Sequence, residues 1–477
     1  MPNSLGFRKK AMSNKISNVN GFDFAHHCPE QRRTDKCQMS NLVLILIFLI
    51  WKTFDTWVLF FAAKIIPYLG FFPYPKELFD FGLPQVSSAL ANFDGIHYLK
   101  IACCGYAQWE QAFFPLYPLL IKCLTFVFNN GLTAGLIISN VSFLIGLWIF
   151  TKYLRLISTN SNQFQLILTI LLFPTSFFFG AVYTEGLFFL LFVLTLYFLK
   201  KDLPAGRQEN IYLATFFAIL TSLTRLVGVF LIIPIIFHYL SLRVKRSNLN
   251  KEIASSSSTP RDDRKILNTK YFILILSPLI GLGIYCFYLW QTTGDPFFFF
   301  TSQPFFGANR STRLILLPQV IWRYIKIFVT ASHNFQYYVS VFEFLIFSFV
   351  FTVLIFDLFH LLMSFRARNL SISLRVNSVT SRGILKKDPS TRPASLDLVG
   401  MTTWDRLGLN LFSLANILFP TLTGTLLSIP RFTLLSLSMF IFLAEIKNKW
   451  IKIVIVVIFF ILHIVVLGFF GQGYFIS

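Results

Sequence analysis

The stretch NFDGIHYLKIACCGYAQWEQAFFPLYPLL, residues 92–120, follows the first long apolar segment of the chain and is unlike the sequence around it. An acidic residue, Asp94, is followed by His97 and Tyr98 and then by an aromatic run that two prolines interrupt. A carboxylate just outside a hydrophobic span is costly to keep near lipid unless it has a partner or a function there. The stretch predicts a polar site at the edge of a membrane-embedded fold, with a solvated surface loop as the simpler alternative.

The composition indicates a polytopic membrane protein. Of the 477 residues, 55% are hydrophobic, 18% are aromatic and only 13% are charged, whereas soluble domains carry about 25% charged residues. Apolar runs of about 20 residues, each long enough to cross a bilayer as a helix, recur along the chain. We therefore expect an all-α polytopic membrane protein in contact with the lipid bilayer.

The net charge of +21 is concentrated in segments that precede or separate the apolar runs. Basic residues gather in residues 1–40, 241–270 and 364–406. This distribution is typical of cytoplasmic loops that follow the positive-inside rule, and it argues against nucleic acid as a partner. We predict a disordered basic cytoplasmic tail over 1–40 and basic cytoplasmic loops over 241–270 and 364–406.

The apolar runs predict a transmembrane domain over 41–477 with about eleven transmembrane helices. The segment 67–131 is predicted as a long first extracytoplasmic loop that carries the catalytic residues and contains interfacial helices. Within it, 112–128 is short and interrupted by prolines, so we expect an interfacial helix there; a true crossing would place the basic loops outside. The predicted spans are 41–66, 132–151, 164–180, 183–199, 209–223, 226–240, 271–290, 336–363, 407–427, 431–446 and 450–470.

This topology brings polar residues that are far apart in sequence to one membrane face. Ionisable residues at membrane depth are functional candidates by default. Taken singly, each has a structural explanation, because an arginine can extend to the headgroups and a glutamate can pair with an arginine. Their shared location is harder to explain in that way. The residues are Asp94, His97, Glu185, Arg225, Asp295 and Arg431.

The residue types predict a transfer reaction on a lipid-linked phosphate. Guanidinium groups such as those of Arg225 and Arg431 match phosphate oxygens with two parallel hydrogen bonds. A carboxylate such as that of Asp94 can take a proton from a hydroxyl. An apolar groove between helices could hold a lipid tail. Together these features predict transfer from a polyprenyl-phosphate-linked donor to a hydroxyl.

Three further stretches extend the motif at 92–120 into a family resemblance. They are FPTSFFFGAVYTEGLF at 173–188, SLTRLVG at 222–228 and PRF at 430–432. The chain resembles the PIG-V family, the second mannosyltransferase of GPI-anchor assembly, and in particular its prokaryotic relatives. Members of that family read approximately WDG-x-HY-x-x-IA-x-x-GY, followed by AFFPL and an aromatic-proline pair. The resemblance implies a fold of the GT-C class, whose multispan glycosyltransferases use lipid-phosphate sugars on the non-cytoplasmic face.

The resemblance also implies roles for individual residues. Asp94 matches the aspartate that is taken as the catalytic base, and Glu185 matches a second acidic motif position that we assign to the catalytic group. His97 and Tyr98 match motif positions that we assign to substrate binding.

Arg225 and Arg431 match basic positions that could hold the donor phosphate. The chain departs from the family where Phe93 replaces the usual tryptophan and Asn92 replaces the preceding arginine. The missing arginine affects the expected details of donor or acceptor recognition.

The predicted reaction is an inverting transfer of mannose or a related hexose. Asp94 deprotonates the acceptor hydroxyl, which attacks the anomeric carbon of a β-linked polyprenyl-phosphate or dolichyl-phosphate sugar. The chain has no acidic pair or glycine-rich loop of the kind that binds a nucleotide sugar. No cofactor and no metal cluster are expected from the sequence, although Asp94 and Glu185 could hold a divalent cation if they lie close together.

Two other functional classes remain open. A transporter would show internal repeats and polar groups near the middle of the membrane, and a non-catalytic subunit that binds lipid-linked sugars would tolerate loss of the Asp94 carboxylate. The acceptor could be a glycolipid, a glycan or a protein, and a small membrane partner subunit is a further alternative. We expect the plasma membrane if the source is prokaryotic and the endoplasmic reticulum membrane if it is eukaryotic.

Overall fold

The computed structural model describes residues 39–74, 76–157, 162–201, 209–253, 261–306, 314–381 and 394–476. These residues form seventeen α-helices joined by turns and short 3-10 helices, and none of them forms a strand. Six helices within these ranges are long and apolar enough to cross a membrane. The predicted all-α membrane fold is confirmed. The predicted tail lies, up to residue 38, outside the described residues.

The helices alternate between membrane-length segments and short pieces. In chain order they are α1 (Asn41–Ile65), α2 (Gln85–Ala89), α3 (Asp94–Cys104), α4 (Leu116–Phe128), α5 (Gly131–Leu156), α6 (Gln163–Leu171), α7 (Glu185–Lys201), α8 (Glu209–Thr224), α9 (Ile232–Ile253), α10 (Arg261–Thr293), α11 (Phe298–Thr301), α12 (Leu317–Thr330), α13 (Phe335–Ser381), α14 (Ala394–Thr421), α15 (Ile429–Phe432), α16 (Leu437–Glu445) and α17 (Lys449–Gly471).

The six span-length helical segments account for only part of the eleven predicted crossings. They are Asn41–Ile65, Gly131–Leu156, Leu226–Arg243, Thr269–Thr293, Phe335–Ser364 and Lys449–Gly471. Helix α4 is 13 residues long, shorter than the roughly 20 residues that a crossing needs. Its predicted position at the interface stays a prediction.

Helix α7 lies at the centre of the packing. It contacts both α5 and α8, while α14 packs on α9 and α1 packs on α17. Residues 173–189 are all buried. The start of α7 and the segment before it are therefore enclosed by protein.

Two of the predicted spans are broken helices. Predicted span 164–180 is helical only as far as Leu171, and a 3-10 helix, Ser176–Gly180, follows. Predicted span 431–446 begins with the short helix α15 and a 3-10 turn before α16. Non-helical backbone at membrane depth is tolerated only where it is buried in protein or lines a cavity. The breaks are therefore expected to lie inside the bundle.

Polar side chains satisfy the backbone at the first break. The Gly180 carbonyl accepts hydrogen bonds from Lys52 Nζ at 3.2 Å and from Asn140 Nδ2 at 3.0 Å. Thr175 Oγ1 donates to the Pro430 carbonyl at 2.7 Å, which ties the two broken segments to each other. These bonds replace the helical ones, because an unsatisfied carbonyl would cost free energy in the apolar interior.

The two basic segments predicted as loops are largely helical in their backbone. Helix α9 continues to Ile253 and α10 begins at Arg261, while α13 continues to Ser381 and α14 begins at Ala394. Residues 254–260 and 382–393, which complete these segments, lie outside the described residues. The cytoplasmic location of both segments stays a prediction.

Candidate active site

The turn before α3 presents Asp94 as the first residue of a helix. The buried Asn92 side chain accepts hydrogen bonds from the backbone N–H of Phe72 at 2.7 Å and of Phe93 at 3.0 Å. Phe93 has a φ of 58°, a left-handed conformation that is uncommon for a bulky residue and needs support from its surroundings. Tyr183 Oη supplies part of that support by donating to the Asn92 carbonyl at 2.7 Å. Asn92 therefore holds the turn.

Two arginines and two carboxylates meet next to this turn. Arg431 Nη1 donates to Asp94 Oδ2 at 2.5 Å, and Arg431 Nε lies 3.2 Å from Glu185 Oε1. Arg225 Nη1 donates to the same Glu185 oxygen. Charges that are separated by up to 337 positions in the sequence thus form one continuous ion-paired cluster.

Each member of this cluster lies at the end or the interruption of a helix. Glu185 is the first residue of α7. Arg225 is an extended residue, with φ −157° and ψ 147°, between α8 and a 3-10 helix. Arg431 belongs to the four-residue helix α15, which follows Ser428 in a left-handed conformation. The breaks in the predicted spans are what bring the charged side chains to one place.

Aromatic rings surround the two guanidinium groups. Arg431 lies over the rings of Tyr183 and Phe178 at 5.2 and 5.6 Å, and Arg225 lies over the ring of Phe432 at 4.6 Å. A cation over an aromatic face is stabilised by about 0.5–2 kcal/mol, more where water is excluded. The rings fix both arginines and lower the local polarity around them.

His97 and Tyr98 occupy the first turn of α3, next to Asp94. His97 Nδ1 lies 2.8 Å from Glu110 Oε1, and its ring stacks on Phe113 at 5.1 Å. Tyr98 packs edge-on against Phe113 at 5.0 Å. Burial, together with the charges of Asp94 and Glu185, raises the pKa of Tyr98 above its ordinary value. Tyr98 is therefore a neutral phenol at physiological pH.

A cavity of about 910 Å³ opens against this group. Five of the six predicted site residues line it: Asp94, His97, Tyr98, Arg225 and Arg431. Glu185 is not among the lining residues and its side chain is only 1% exposed, whereas the side chain of Asp94 is 29% exposed. Asp94 can therefore meet a substrate, and Glu185 lies behind the arginines.

The remainder of the cavity wall is mainly aromatic and aliphatic. Such a wall, with a few polar groups at one end, suits an amphipathic ligand. The aromatic lining residues outside α3 and its loop include Phe299, Phe300, Phe335, Phe419, Phe432 and Phe475.

The carboxylates that could hold a cation are bridged by a guanidinium. Arg431 contacts both Asp94 and Glu185. In the described part of the chain, no group of three or more His, Cys, Asp or Glu side chains is arranged to bind a metal ion. Two carboxylates with an arginine between them form a poor ligand set for a hard divalent cation, which prefers six or more oxygen ligands.

Two residues of the site were not singled out by the sequence. Glu110 contacts His97, and Tyr183 supports the turn before Asp94. Both lie inside the quoted motifs, but an acidic residue and a tyrosine in an aromatic run carry no signal of their own. Asp295 was expected at the same face, yet its carboxylate accepts from Phe297 N and Thr301 Oγ1 in its own turn and does not line the cavity.

Comparison with known proteins adds one finding. Residues 84–205 match the family model described as mannosyltransferase (PIG-V). The match runs from α2 to the end of α7 and includes Asp94, His97, Tyr98 and Glu185. No significant match was found among curated proteins or among solved structures.

Proposed function

We propose that this chain, a glycosyltransferase of the PIG-V mannosyltransferase family, transfers mannose or a related hexose from a polyprenyl- or dolichyl-phosphate donor to a hydroxyl acceptor. The observation that carries the proposal is the pairing of Asp94 with Arg431 at the wall of a large, mainly apolar cavity. This contact supports the proposal, because it would keep the proposed base next to a proposed ligand of the donor phosphate. The resemblance to GT-C enzymes supports a site on the extracytoplasmic face.

In the proposed reaction, Asp94 acts as the general base. The acceptor hydroxyl loses its proton to the Asp94 carboxylate while its oxygen attacks the anomeric carbon of a β-linked donor. The bond between that carbon and the phosphate oxygen breaks, and the polyprenyl phosphate leaves. General base catalysis of this kind contributes about 10²- to 10⁴-fold to a rate. Attack from the face opposite the phosphate inverts the anomeric centre.

The arginines would balance the charge as it moves. Before transfer, Arg431 is paired with the negative Asp94 carboxylate. After transfer, Asp94 is neutral and the leaving phosphate has gained one negative charge. Arg431 and Arg225 both line the cavity, so the same guanidinium groups can follow the charge from the carboxylate to the phosphate. Preorganised charges of this kind act most strongly where water is partly excluded.

We assign Glu185 a positioning role within the catalytic group. Its Oε1 contacts both Arg225 and Arg431, while its Oε2 has no hydrogen-bond partner among the described residues. A buried carboxylate shared by two arginines sets the spacing of the guanidinium groups. His97 and Tyr98 line the cavity beside Asp94 and are proposed to contact the sugar.

A transporter is the second candidate, because a broken helix such as the one that carries Arg431 at the cavity is also a feature of transporter sites. A non-catalytic subunit that binds the same lipid-linked sugar would also use such a cavity. Neither alternative requires a base in contact with a hydroxyl. Substitution of Asp94 therefore separates both of them from the enzyme.

The test is transfer of radiolabelled mannose in membranes from the source cells, which contain the natural acceptor. Membranes that lack the protein are complemented with wild type or with Asp94→Asn and offered polyprenyl-phosphate mannose. A parallel reaction offers GDP-mannose after polyprenyl phosphate has been depleted. We expect mannose to be transferred from polyprenyl-phosphate mannose and not from GDP-mannose. We expect Asp94→Asn to reduce the rate of this transfer at least about 100-fold.

Two outcomes would contradict the proposal. Transfer that is unaffected by Asp94→Asn would remove Asp94 as the base, and equal transfer with and without the protein would remove the enzyme. The matched control is Asp295→Asn, which alters an outer-loop carboxylate that does not line the cavity. We expect this control to transfer at the wild-type rate.

A further inference from the structure

A second carboxylate, that of Glu110, approaches the catalytic helix from the loop that follows it. Glu110 is 4% exposed, and charged side chains are rarely buried unless they are paired. Its Oε1 lies 2.8 Å from His97 Nδ1, and its Oε2 accepts a hydrogen bond from the backbone N–H of Ala107 at 3.0 Å. Both carboxylate oxygens are engaged, so the carboxylate has one orientation towards the imidazole.

The loop is built to keep Glu110 in this position. Trp109 adopts a left-handed conformation, with φ 74°, immediately before the 3-10 helix Glu110–Ala112. Tyr285 of α10 donates to the Gln111 carbonyl at 2.7 Å and thereby anchors the same turn to a membrane-length helix. A bulky residue is held at positive φ only where its surroundings determine it, and such strain is concentrated at functional sites.

The contact selects one tautomer of His97. A carboxylate that accepts this hydrogen bond requires the proton of the imidazole on Nδ1 of His97. In a neutral imidazole, Nε2 is then the acceptor nitrogen. His97 lies three residues after Asp94, on the same face of α3, and both line the cavity.

We propose that Glu110 is a positioning residue of the transfer site, which orients His97 so that its Nε2 accepts a hydrogen bond from a hydroxyl of the substrate sugar. The inference rests on the proposed function and extends it to a residue outside the family motif positions assigned above. A carboxylate behind an imidazole fixes both the tautomer and the ring orientation, as it does in hydrolase triads. Stacking on Phe113 limits rotation of the same ring.

The same helix offers a matched control. Lys100, three residues after His97, lies 3.3 Å from Glu77, and the side chain of Glu77 is 41% exposed. Both glutamates come from loops and both pair with a basic residue of α3. Glu77 does not line the cavity, and an exposed pair of this kind contributes little to stability.

The experiment is a double-mutant cycle in the transfer assay, with the amount of folded protein measured by size-exclusion chromatography. The variants are Glu110→Gln, His97→Ala, the double variant, and Glu77→Gln as the control. We expect Glu110→Gln to lower kcat/KM about 10- to 100-fold, as the loss of a charge-assisted hydrogen bond does. In the His97→Ala background, the same change is expected to alter kcat/KM by less than about twofold.

The cycle distinguishes positioning from a merely structural role. If Glu110 only stabilised the loop, Glu110→Gln would lower kcat/KM by the same factor in both backgrounds, and the proposal would be overturned. The proposal would also be overturned if Glu110→Gln and Glu77→Gln had the same kcat/KM while the wild type was active. That result would leave the proposed function intact. An inactive wild type in complemented membranes would overturn the proposed function and this inference together.

Discussion

Arg431 and Arg406 are two arginines of nearly equal burial with the same kind of partners. The side chain of Arg431 is 11% exposed and that of Arg406 is 10% exposed, and each contacts two carboxylates. Arg431 lines the large cavity, whereas Arg406 is not among the residues that line it. The two clusters therefore differ in access to the large cavity, although their burial and their ion pairs are similar.

Both terminal nitrogens of Arg406 are hydrogen-bonded to carboxylates. Arg406 Nη2 donates to Asp357 Oδ1 at 2.9 Å, and Nη1 donates to both carboxylate oxygens of Glu445 at 2.9 Å. Asn410 Nδ2 and Ser438 Oγ donate to the other Asp357 oxygen at 2.9 and 2.5 Å. These hydrogen bonds join α13, α14 and α16.

The two clusters lie at opposite ends of α7. Glu185 begins the helix and belongs to the cavity cluster, while Lys200, near its other end, pairs with Asp405, the neighbour of Arg406. Fifteen residues of α-helix separate them by about 22 Å. The comparison predicts that access to a cavity, and not burial of charge, distinguishes the functional cluster from the structural one.

The largest expected effect on stability is that of Arg406→Ala. Removal of the guanidinium leaves the fully buried Asp357 and the adjacent Glu445 without their cation. Breaking a buried ion pair in this way costs about 3–5 kcal/mol of the free energy of unfolding. Thermal unfolding of the detergent-purified protein would show it as a large drop in Tm.

Arg431→Ala is the matched variant that tests the difference between the Arg431 and Arg406 clusters. We expect a smaller loss of stability than for Arg406→Ala, because water in the cavity can solvate the partly exposed Asp94, and we expect transfer to fall at least about 100-fold. If the two variants lost stability equally, access to the cavity would not be what distinguishes the clusters.

An intermediate effect is expected for Glu185→Gln, which keeps the shape of the side chain and removes the charge shared by Arg225 and Arg431. We expect transfer to fall about 10- to 100-fold and the free energy of unfolding to fall by about 1–3 kcal/mol. Donor titration would show the loss mainly in KM, because the arginines are mispositioned for the phosphate. A loss confined to stability, with normal transfer by the folded fraction, would assign Glu185 to the scaffold alone.

The smallest effect is expected for Tyr183→Phe. The variant removes the hydroxyl that donates to the Asn92 carbonyl but keeps the ring beneath Arg431. Loss of one buried hydrogen bond costs about 1–2 kcal/mol. Transfer assays should show a reduction of a few fold, since the turn before Asp94 is loosened. Wild-type stability and transfer would show that the turn does not depend on this bond.

Much of the fold class could be predicted from the sequence, but the breaks in the helices could not. Hydropathy identified the span-length helices α1, α5 and α17, because long apolar runs have few alternatives in a bilayer. Residues 173–180 were predicted as part of the span 164–180, yet they form a turn and a 3-10 helix. Hydropathy reports burial away from water and does not distinguish lipid from a protein interior.

The candidate site, like the fold, could be predicted only in part from the sequence. The predicted topology grouped Asp94, Arg225, Glu185 and Arg431 at one face, and in the structure they are linked by three successive ion pairs. The network of Arg406 was missed, because the segment that contains it was interpreted as a basic loop. Asp357, alone within an apolar run, gave no indication of its partner.

The sequence by itself determined that this is an all-α membrane protein with the motifs of a mannosyltransferase family, because composition and local motifs are properties of the chain. Only the tertiary structure decided that Asp94 lines the cavity and that Glu185 lies behind the arginines. It also decided that Glu110 contacts His97. These outcomes depend on where broken helices end in space. Such contacts join residues up to 337 positions apart, and their geometry follows from packing.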